Sequence, residues 1–187
     1  MNLPNAITLA RLAVTALTFL CLELIADPAD PTAALAWVAF VLFLLAAGTD
    51  YLDGYLARKL GMVTAFGRIA DPFADKVLIT GSLVVLLRFP AATEVLTTWY
   101  VVIVIAREFL VTAIRGLVES SGRPFPADRL GKWKMVSQCW TTAALMTLVA
   151  GTQTWLWAAV LGFWVSLVLT VLSGINYVWK ARGEIFA

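Results

Sequence analysis

The sequence predicts an all-α, polytopic membrane protein with six transmembrane helices, and three observations carry that prediction. Hydrophobic residues make up 61% of the 187 positions and charged residues 14%, against about 45–50% and about 25% in water-soluble domains. A chain of this size has no interior large enough to bury so much apolar surface, and the same apolar content excludes disorder. Six apolar windows approach the ~20 residues that a spanning helix needs. They leave no stretch over for a soluble domain, so residues 1–187 read as one integral-membrane unit. Finally, an even number of spans places both termini on one side, and of the 14 cations only Arg88 falls at the other face. The positive-inside rule then puts both termini in the cytoplasm.

The windows run approximately over 7–25, 34–57, 70–89, 94–116, 133–150 and 154–179. Before the first, Asn2-Leu3-Pro4-Asn5 reads as an interfacial lead-in with Asn5 as N-cap. That window lacks a basic leader and a small-x-small site ahead of Asp27, so it reads as a retained helix and not a cleaved signal. Asp27-Pro28-Ala29-Asp30-Pro31 breaks the chain before the second window, and the segment from Gly61 to Gly67 breaks it before the third. Pro72 lacks the N–H a helix interior uses, so the third helix is expected to open there with Asp71 as N-cap; a kink is the alternative. Phe89-Pro90, Ser120-Ser121-Gly122-Arg123-Pro124 and Gly151 punctuate the rest. Trp37, Trp99, Trp155 and Trp179 lie near span ends, as an aromatic belt would place them.

Absences narrow the chemistry. With no histidine, imidazole bases and His-metal sites are excluded. Cys21 and Cys139 lie far apart in apolar stretches, which suits small hydrophobes better than a zinc cluster or a disulfide. A net charge of +2 does not suggest nucleic acid as a partner.

The carboxylates point to a function. Each costs about 2.5–3.5 kcal/mol to insert, so the four near one boundary, Asp50, Asp53, Asp71 and Asp75, cost on the order of 10 kcal/mol if unpaired. Asp50, Asp53, Gly54 and Ala57 are spaced i, i+3, i+4 and i+7, which is one helical face, with two carboxylates beside two nearly absent side chains. Asp71 and Asp75 share a side of the next helix, and the short segment 59–70 lets the two helices lie together. Hard oxygen ligands suit Mg²⁺ or Mn²⁺, and four carboxylates are enough for a two-metal site. A solvated helix cap is the ordinary explanation for one such residue, but it does not explain two acidic pairs on adjacent helices.

A basic set complements the acidic one. Arg107 interrupts the run Ile103-Val104-Ile105-Ala106 … Phe109-Leu110-Val111, and Arg115 follows two turns later. One reading is an internal Arg107–Glu108 pair with a snorkelling Arg115; the other is an anion pocket, since guanidinium suits bidentate phosphate recognition. Lys132 and Lys134 open the fifth window on the same side, either as membrane anchors or as ligands of the same anion.

The string Asp50-x2-Asp53-Gly54-x2-Ala57-Arg58-x8-Gly67-x3-Asp71-x3-Asp75 resembles, at all eight fixed positions, the signature of the CDP-alcohol phosphotransferase family. Asn2-Leu3-Pro4-Asn5-Ala6-Ile7-Thr8, Asp71-Pro72-Phe73-Ala74-Asp75-Lys76-Val77, Arg107-Glu108-Phe109 with Thr112-Ala113-Ile114-Arg115, and Gly131-Lys132-Trp133-Lys134 with Gln138 extend the likeness over nearly the whole chain. Within the family they resemble the bacterial members that make phosphatidylglycerol phosphate. The resemblance implies the family's six-helix fold, a homodimer in the membrane and a divalent-metal site. It implies that CDP-diacylglycerol and sn-glycerol 3-phosphate give phosphatidylglycerol phosphate and CMP. Carried over, Asp50, Asp53, Asp71 and Asp75 hold the metals, and Asp75 is also the general base. Asn5, Thr8, Gly54, Arg58 and Thr64, with Ala57 and Gly67 of the signature, bind CDP-diacylglycerol. Arg107, Arg115, Lys132 and Lys134 are the candidates for the acceptor phosphate. Inositol phosphate is the rival acceptor, and a cation transporter lined by the aspartates is the rival from another class.

Overall fold

The computed structural model describes the backbone over residues 3–30, 34–60, 65–120 and 128–185; the side chains of 3–4, 50–60, 65–66, 68 and 184–185 are outside the description. Within these limits the chain is helical, with no strand. Helix α1 spans Leu3–Glu23, α2 Ala34–Leu60, α3 Ala65–Leu86, α4 Pro90–Thr93, α5 Thr98–Ser120, α6 Arg129–Val149 and α7 Leu156–Ile185, with a 3₁₀ turn at Gln153–Trp155 before α7. Helix α1 packs on α2 and α3, α7 packs on α5 and α6, and α6 also meets α2, α3 and α4.

The helices are built inside out. On α1 the buried positions are Thr8, Arg11, Thr15, Thr18 and Leu22, while Leu9, Leu17 and Leu20 are exposed. The buried set steps by three and four residues, so it is a single helical face, and that face is the polar one. Helix α7 repeats the pattern: Ser166, Thr170, Ser173 and Tyr177 point inward, and Trp164, Val168, Leu172, Ile175 and Trp179 outward. Water would reverse this arrangement; hydrocarbon favours it, because hydroxyls find partners only within the protein, on their own helix or on a neighbouring one. Thr15 and Thr18 donate to the carbonyls of Arg11 and Val14 at 2.8 and 2.9 Å, and Tyr100 meets Ser166 at 2.6 Å. Among the described residues two helices are long and apolar enough to cross a membrane, Asn5–Glu23 and Gln153–Gly183. Helices α3, α5 and α6 interrupt their apolar runs with charge, at Asp71, Asp75 and Lys76, at Arg107, Glu108 and Arg115, and at Lys132 and Lys134.

The apolar core gathers at the end of the bundle away from these charges, around Phe43, Leu83, Leu86, Phe89, Leu96, Tyr100 and Leu145. Two close approaches bring the helices together. A Cβ on Gly81 of α3 would lie 2.4 Å from Phe19 Cζ of α1, and one on Gly162 of α7 would lie 2.8 Å from Thr141 Oγ1 of α6.

The helix ends follow capping chemistry. Gly151, at φ 84°, closes α6: its N–H bonds to Leu148 O and that of Thr152 to Thr147 O, both at 3.0 Å, which is the Schellman arrangement. Arg88, the cation set apart from the others, donates from Nη2 to Ile25 O at 2.9 Å and from Nη1 to Glu23 O at 3.0 Å. Its positive charge sits where the carbonyls after α1 need a donor and the helix dipole favours a cation.

Two expectations about helix starts are corrected. Pro72 lies inside α3, which begins at Ala65, so Asp71 is an interior residue and not an N-cap. The missing proline N–H is tolerated because Asp71 and Asp75 anchor that turn to α1, as described below. Asn5 likewise lies within α1, which is already helical at Leu3, so it is not the cap. Cys21 and Cys139 are not joined in a disulfide.

Candidate active site

The polar face of α1 meets the acidic face of α3. Thr8 Oγ1 donates to Asp71 Oδ1 at 2.7 Å. One turn on, Arg11 Nη1 donates to Asp75 Oδ1 at 2.5 Å, with Nη2 at 4.0 Å from Asp71 Oδ1. Thr8 and Arg11 are three residues apart and Asp71 and Asp75 four, so the pairs rise together along adjacent helices. Arg11 is 1% exposed, whereas the Asp71 and Asp75 side chains are 40% and 26% exposed. The guanidinium therefore forms the closed floor of the site and the carboxylates its open rim. Sequence reasoning counted Arg11 only as a cation. Its signal was available: Thr8, Arg11, Thr15 and Thr18 step along one face of an otherwise apolar helix.

Helix α2 runs unbroken through Asp50, Asp53, Gly54, Ala57 and Arg58, so the spacing that places the first four on a common face holds along its backbone. Their side chains, and Thr64 altogether, lie outside the described residues. Gly67 falls in the first turn of α3. Helices α2 and α3 are in contact.

A second polar cluster joins α5, α6 and α7. Glu108 Oε1 accepts from Arg107 Nη1 at 3.1 Å and from Lys134 Nζ. Arg107 Nε donates to Ser173 Oγ at 3.1 Å, and its guanidinium lies 5.4 Å from the Tyr177 ring centroid. The Tyr177 hydroxyl accepts from Arg115 Nη2 and from the Asp128 N–H, both at 3.3 Å. Asp128, which precedes α6, turns its carboxylate to Asn176 and to Lys180 Nζ, the latter at 3.4 Å. Arg107 and Lys134 are thus brought together on one carboxylate, and Arg115 is tied in through Tyr177. Lys132 is exposed. The Arg107–Glu108 pair foreseen as the alternative to an anion pocket is present, and it leaves the cluster with more cations than carboxylates. Arg115 is half-buried and bonded, so it does not snorkel. Tyr177 and Ser173 were missed; the α7 spacing Ser166, Thr170, Ser173, Tyr177 was their signal. Lys76 connects the two clusters by donating to Thr112 of α5.

Comparison with known proteins settles the family. The family model described as CDP-alcohol phosphatidyltransferase matches residues 1–172. The chain belongs to this family. CDP-alcohol phosphatidyltransferase relatives extend the likeness past the matched region. A CDP-diacylglycerol–glycerol-3-phosphate 3-phosphatidyltransferase of Bacillus subtilis is 38% identical over 187 residues, covering 96% of this chain and 94% of the relative. The protein of that name from Rickettsia felis is 33% identical over 188 residues, covering 99% and 97%. A chloroplastic/mitochondrial form from Arabidopsis thaliana is 33% identical over 194 residues, covering 96% of this chain and 64% of its own. Membership in this transferase family makes the chain an enzyme and removes the transporter alternative.

Proposed function

We propose that the enzyme transfers a phosphatidyl group from CDP-diacylglycerol to sn-glycerol 3-phosphate, giving phosphatidylglycerol phosphate and CMP. The observation that carries this reading is that relatives from Bacillus subtilis, Rickettsia felis and Arabidopsis thaliana bear one activity in their names while matching nearly the full length of this chain. The basic cluster at Arg107, Lys134 and Arg115 supports a phosphorylated acceptor.

In the proposed reaction the acceptor hydroxyl oxygen bonds to the phosphorus that carries diacylglycerol, and the bond from that phosphorus to the CMP oxygen breaks. Asp75 takes the hydroxyl proton, and Arg11, on the same carboxylate, fixes the rotamer from which it does so. Thr8 does the same for Asp71. Asn5, Thr8, Gly54, Ala57, Arg58, Thr64 and Gly67 are assigned to the CDP-lipid, with the small residues letting the nucleotide approach the α2 backbone. Arg107, Arg115, Lys132 and Lys134 are assigned to the acceptor phosphate, with Glu108 and Tyr177 holding three of them in place.

The donor set fits a divalent cation. Asp71 and Asp75 present neighbouring hard oxygen donors at an accessible rim, and Asp50 and Asp53 are assigned to complete the set for Mg²⁺ or Mn²⁺. Bound there, two such ions would neutralise the diphosphate and the charge that develops on CMP. Six spans, with both termini and the site at the cytoplasmic face of the inner membrane, and assembly as a homodimer complete the proposal; the polar-in, apolar-out helices support the bilayer location.

The test is CMP release from CDP-diacylglycerol with glycerol 3-phosphate, inositol phosphate or serine as acceptor, with and without EDTA. Release with glycerol 3-phosphate that EDTA abolishes and Mg²⁺ or Mn²⁺ restores is expected. Activity with inositol phosphate alone would overturn the acceptor assignment, and indifference to EDTA would overturn the metal.

A further inference from the structure

Helices α5 and α7 leave between them a groove of about 790 Å³, lined by Ile103, Ala106 and Leu110 on one side and by Val171, Gly174 and Ile175 on the other. Gly174 opens its floor: a Cβ there would lie 3.4 Å from Arg107 Cγ. The stem of Arg107 lines the groove, but its guanidinium is turned to Glu108 and Ser173, so the depth of the groove is apolar. Both helices run in the same direction, and along them the groove ends at Trp179 and Arg182. Arg182, in the last turn of α7, lies 4.0 Å over the Trp179 ring. Among the described residues no carboxylate pairs with it, and none lines the groove.

The groove touches the basic cluster through the stem of Arg107, but it lies apart from the acidic cluster. Thr112, which meets Lys76 of α3, follows Ile103 by nine residues, about two and a half turns, and so lies on the opposite side of α5. The groove therefore faces away from Asp71 and Asp75.

We propose that it is a binding site for an anionic phospholipid of the surrounding bilayer, held as a fixed component and not as the reacting lipid. An acyl chain fits the apolar channel, and the phosphate fits the mouth, where a guanidinium and an indole meet at the depth of the headgroups. A volume of this size lies in the ordinary range for small-molecule sites, about 300–1,000 Å³, and the groove's open side lets the rest of a lipid lie along the helices. A second copy of the chain suits it less well, because a two-fold interface sets the same patch against itself and two concave grooves do not fill each other.

The full-length protein, purified in mild detergent, is titrated with phosphatidylglycerol or phosphatidylcholine and its bound lipid counted by native mass spectrometry. One tightly held lipid per chain is expected, with phosphatidylglycerol preferred about fivefold, the effect of one cation at a headgroup. Arg182→Gln should erase the preference while leaving the lipid bound. Ala106→Phe should displace lipids of both kinds, and both variants should keep CMP release. Should Ala106→Phe fail to fold, Ile175→Trp blocks the groove from α7 at a position already 61% exposed. Equal binding of the two lipids, undiminished binding in the blocked variant, or loss of a dimer with lipid unchanged would each overturn the proposal. The proposal rests on the bilayer location alone: wild-type protein that holds the lipid but releases no CMP counts against the proposed reaction and not against the groove.

Discussion

At the scale of single residues, the contact between Arg11 and Asp75 organises the site. A guanidinium buried under helix α1 is tolerated only with a partner, and the carboxylate it meets is the one assigned to take the acceptor proton. Replacing Arg11 with Ala should therefore lose more than a charge. Removing a charge-assisted hydrogen bond of this kind costs about 2 kcal/mol, and the partly exposed Asp75 would recover part of it from water. We expect Arg11→Ala to lower the midpoint of thermal unfolding in detergent and kcat together, and Arg11→Lys to restore more of the first than of the second. Asp75→Asn keeps the side-chain shape but cannot take a proton; CMP release should fall by about 10²–10⁴-fold with helicity by circular dichroism unchanged. Substantial turnover in that variant would remove Asp75 as the base. Arg115 is bonded to Tyr177 and flanks the Arg107–Glu108–Lys134 cluster. Its replacement by Ala should raise the KM for glycerol 3-phosphate about tenfold, the worth of one charge-assisted contact, and leave that for CDP-diacylglycerol nearly unchanged. The reverse pattern would refute the acceptor pocket.

At the scale of elements, helix packing depends on small residues at two close approaches. At Gly162 the neighbours are Thr141 Oγ1 at 2.8 Å, Trp140 Cδ1 at 2.9 Å and Thr141 Cα at 3.3 Å. A backbone atom cannot turn aside as a side-chain tip can, so Gly162→Leu must push α7 from α6. A destabilisation of about 1–3 kcal/mol is expected, read as a lower unfolding midpoint. Because Arg107 reaches Ser173 across the α5–α7 contact, the acceptor KM should rise as well. Gly81 faces only the tip of Phe19, which can rotate, so Gly81→Ala should be milder; equal effects would show that the backbone contact is not the deciding one. The same scale explains what happened to Pro72. A proline early in an apolar window reads as a helix start, yet α3 continues through it, because the turn that carries Asp71 and Asp75 is fastened to Thr8 and Arg11 from outside the helix. Local propensity gave way to a tertiary contact.

At the scale of the whole molecule, polarity is sorted by depth. The apolar core around Phe43, Leu83 and Leu145 occupies one end of the bundle, and the charged clusters occupy the other, with Arg88 set apart as the cap on α1. Engineered cysteines at Asn2 and Ala187 should be blocked by a membrane-impermeant thiol reagent only in inverted vesicles, with one replacing Asp30 blocked from the opposite side; labelling of all three from one face would overturn the six-span topology.

Composition and spacing were enough to predict a helical, membrane-associated chain and that Asp71 and Asp75 share a side, but not that α3 begins at Ala65 and runs through Pro72. Those properties depend on the transfer of each residue from water and on the 3.6-residue period, both local. The eight-position signature likewise carried the family, since family membership resides in residue identity at fixed spacing. Only the tertiary structure decided which groups meet. Thr8 and Asp71, or Arg11 and Asp75, are more than sixty residues apart in the chain, and Glu108 reaches Lys134 across two helices. No local period encodes such pairings. They follow from burial: a polar face inside hydrocarbon must find another polar face, and the packing of α1 on α3 and of α5 and α6 on α7 determines which one it finds.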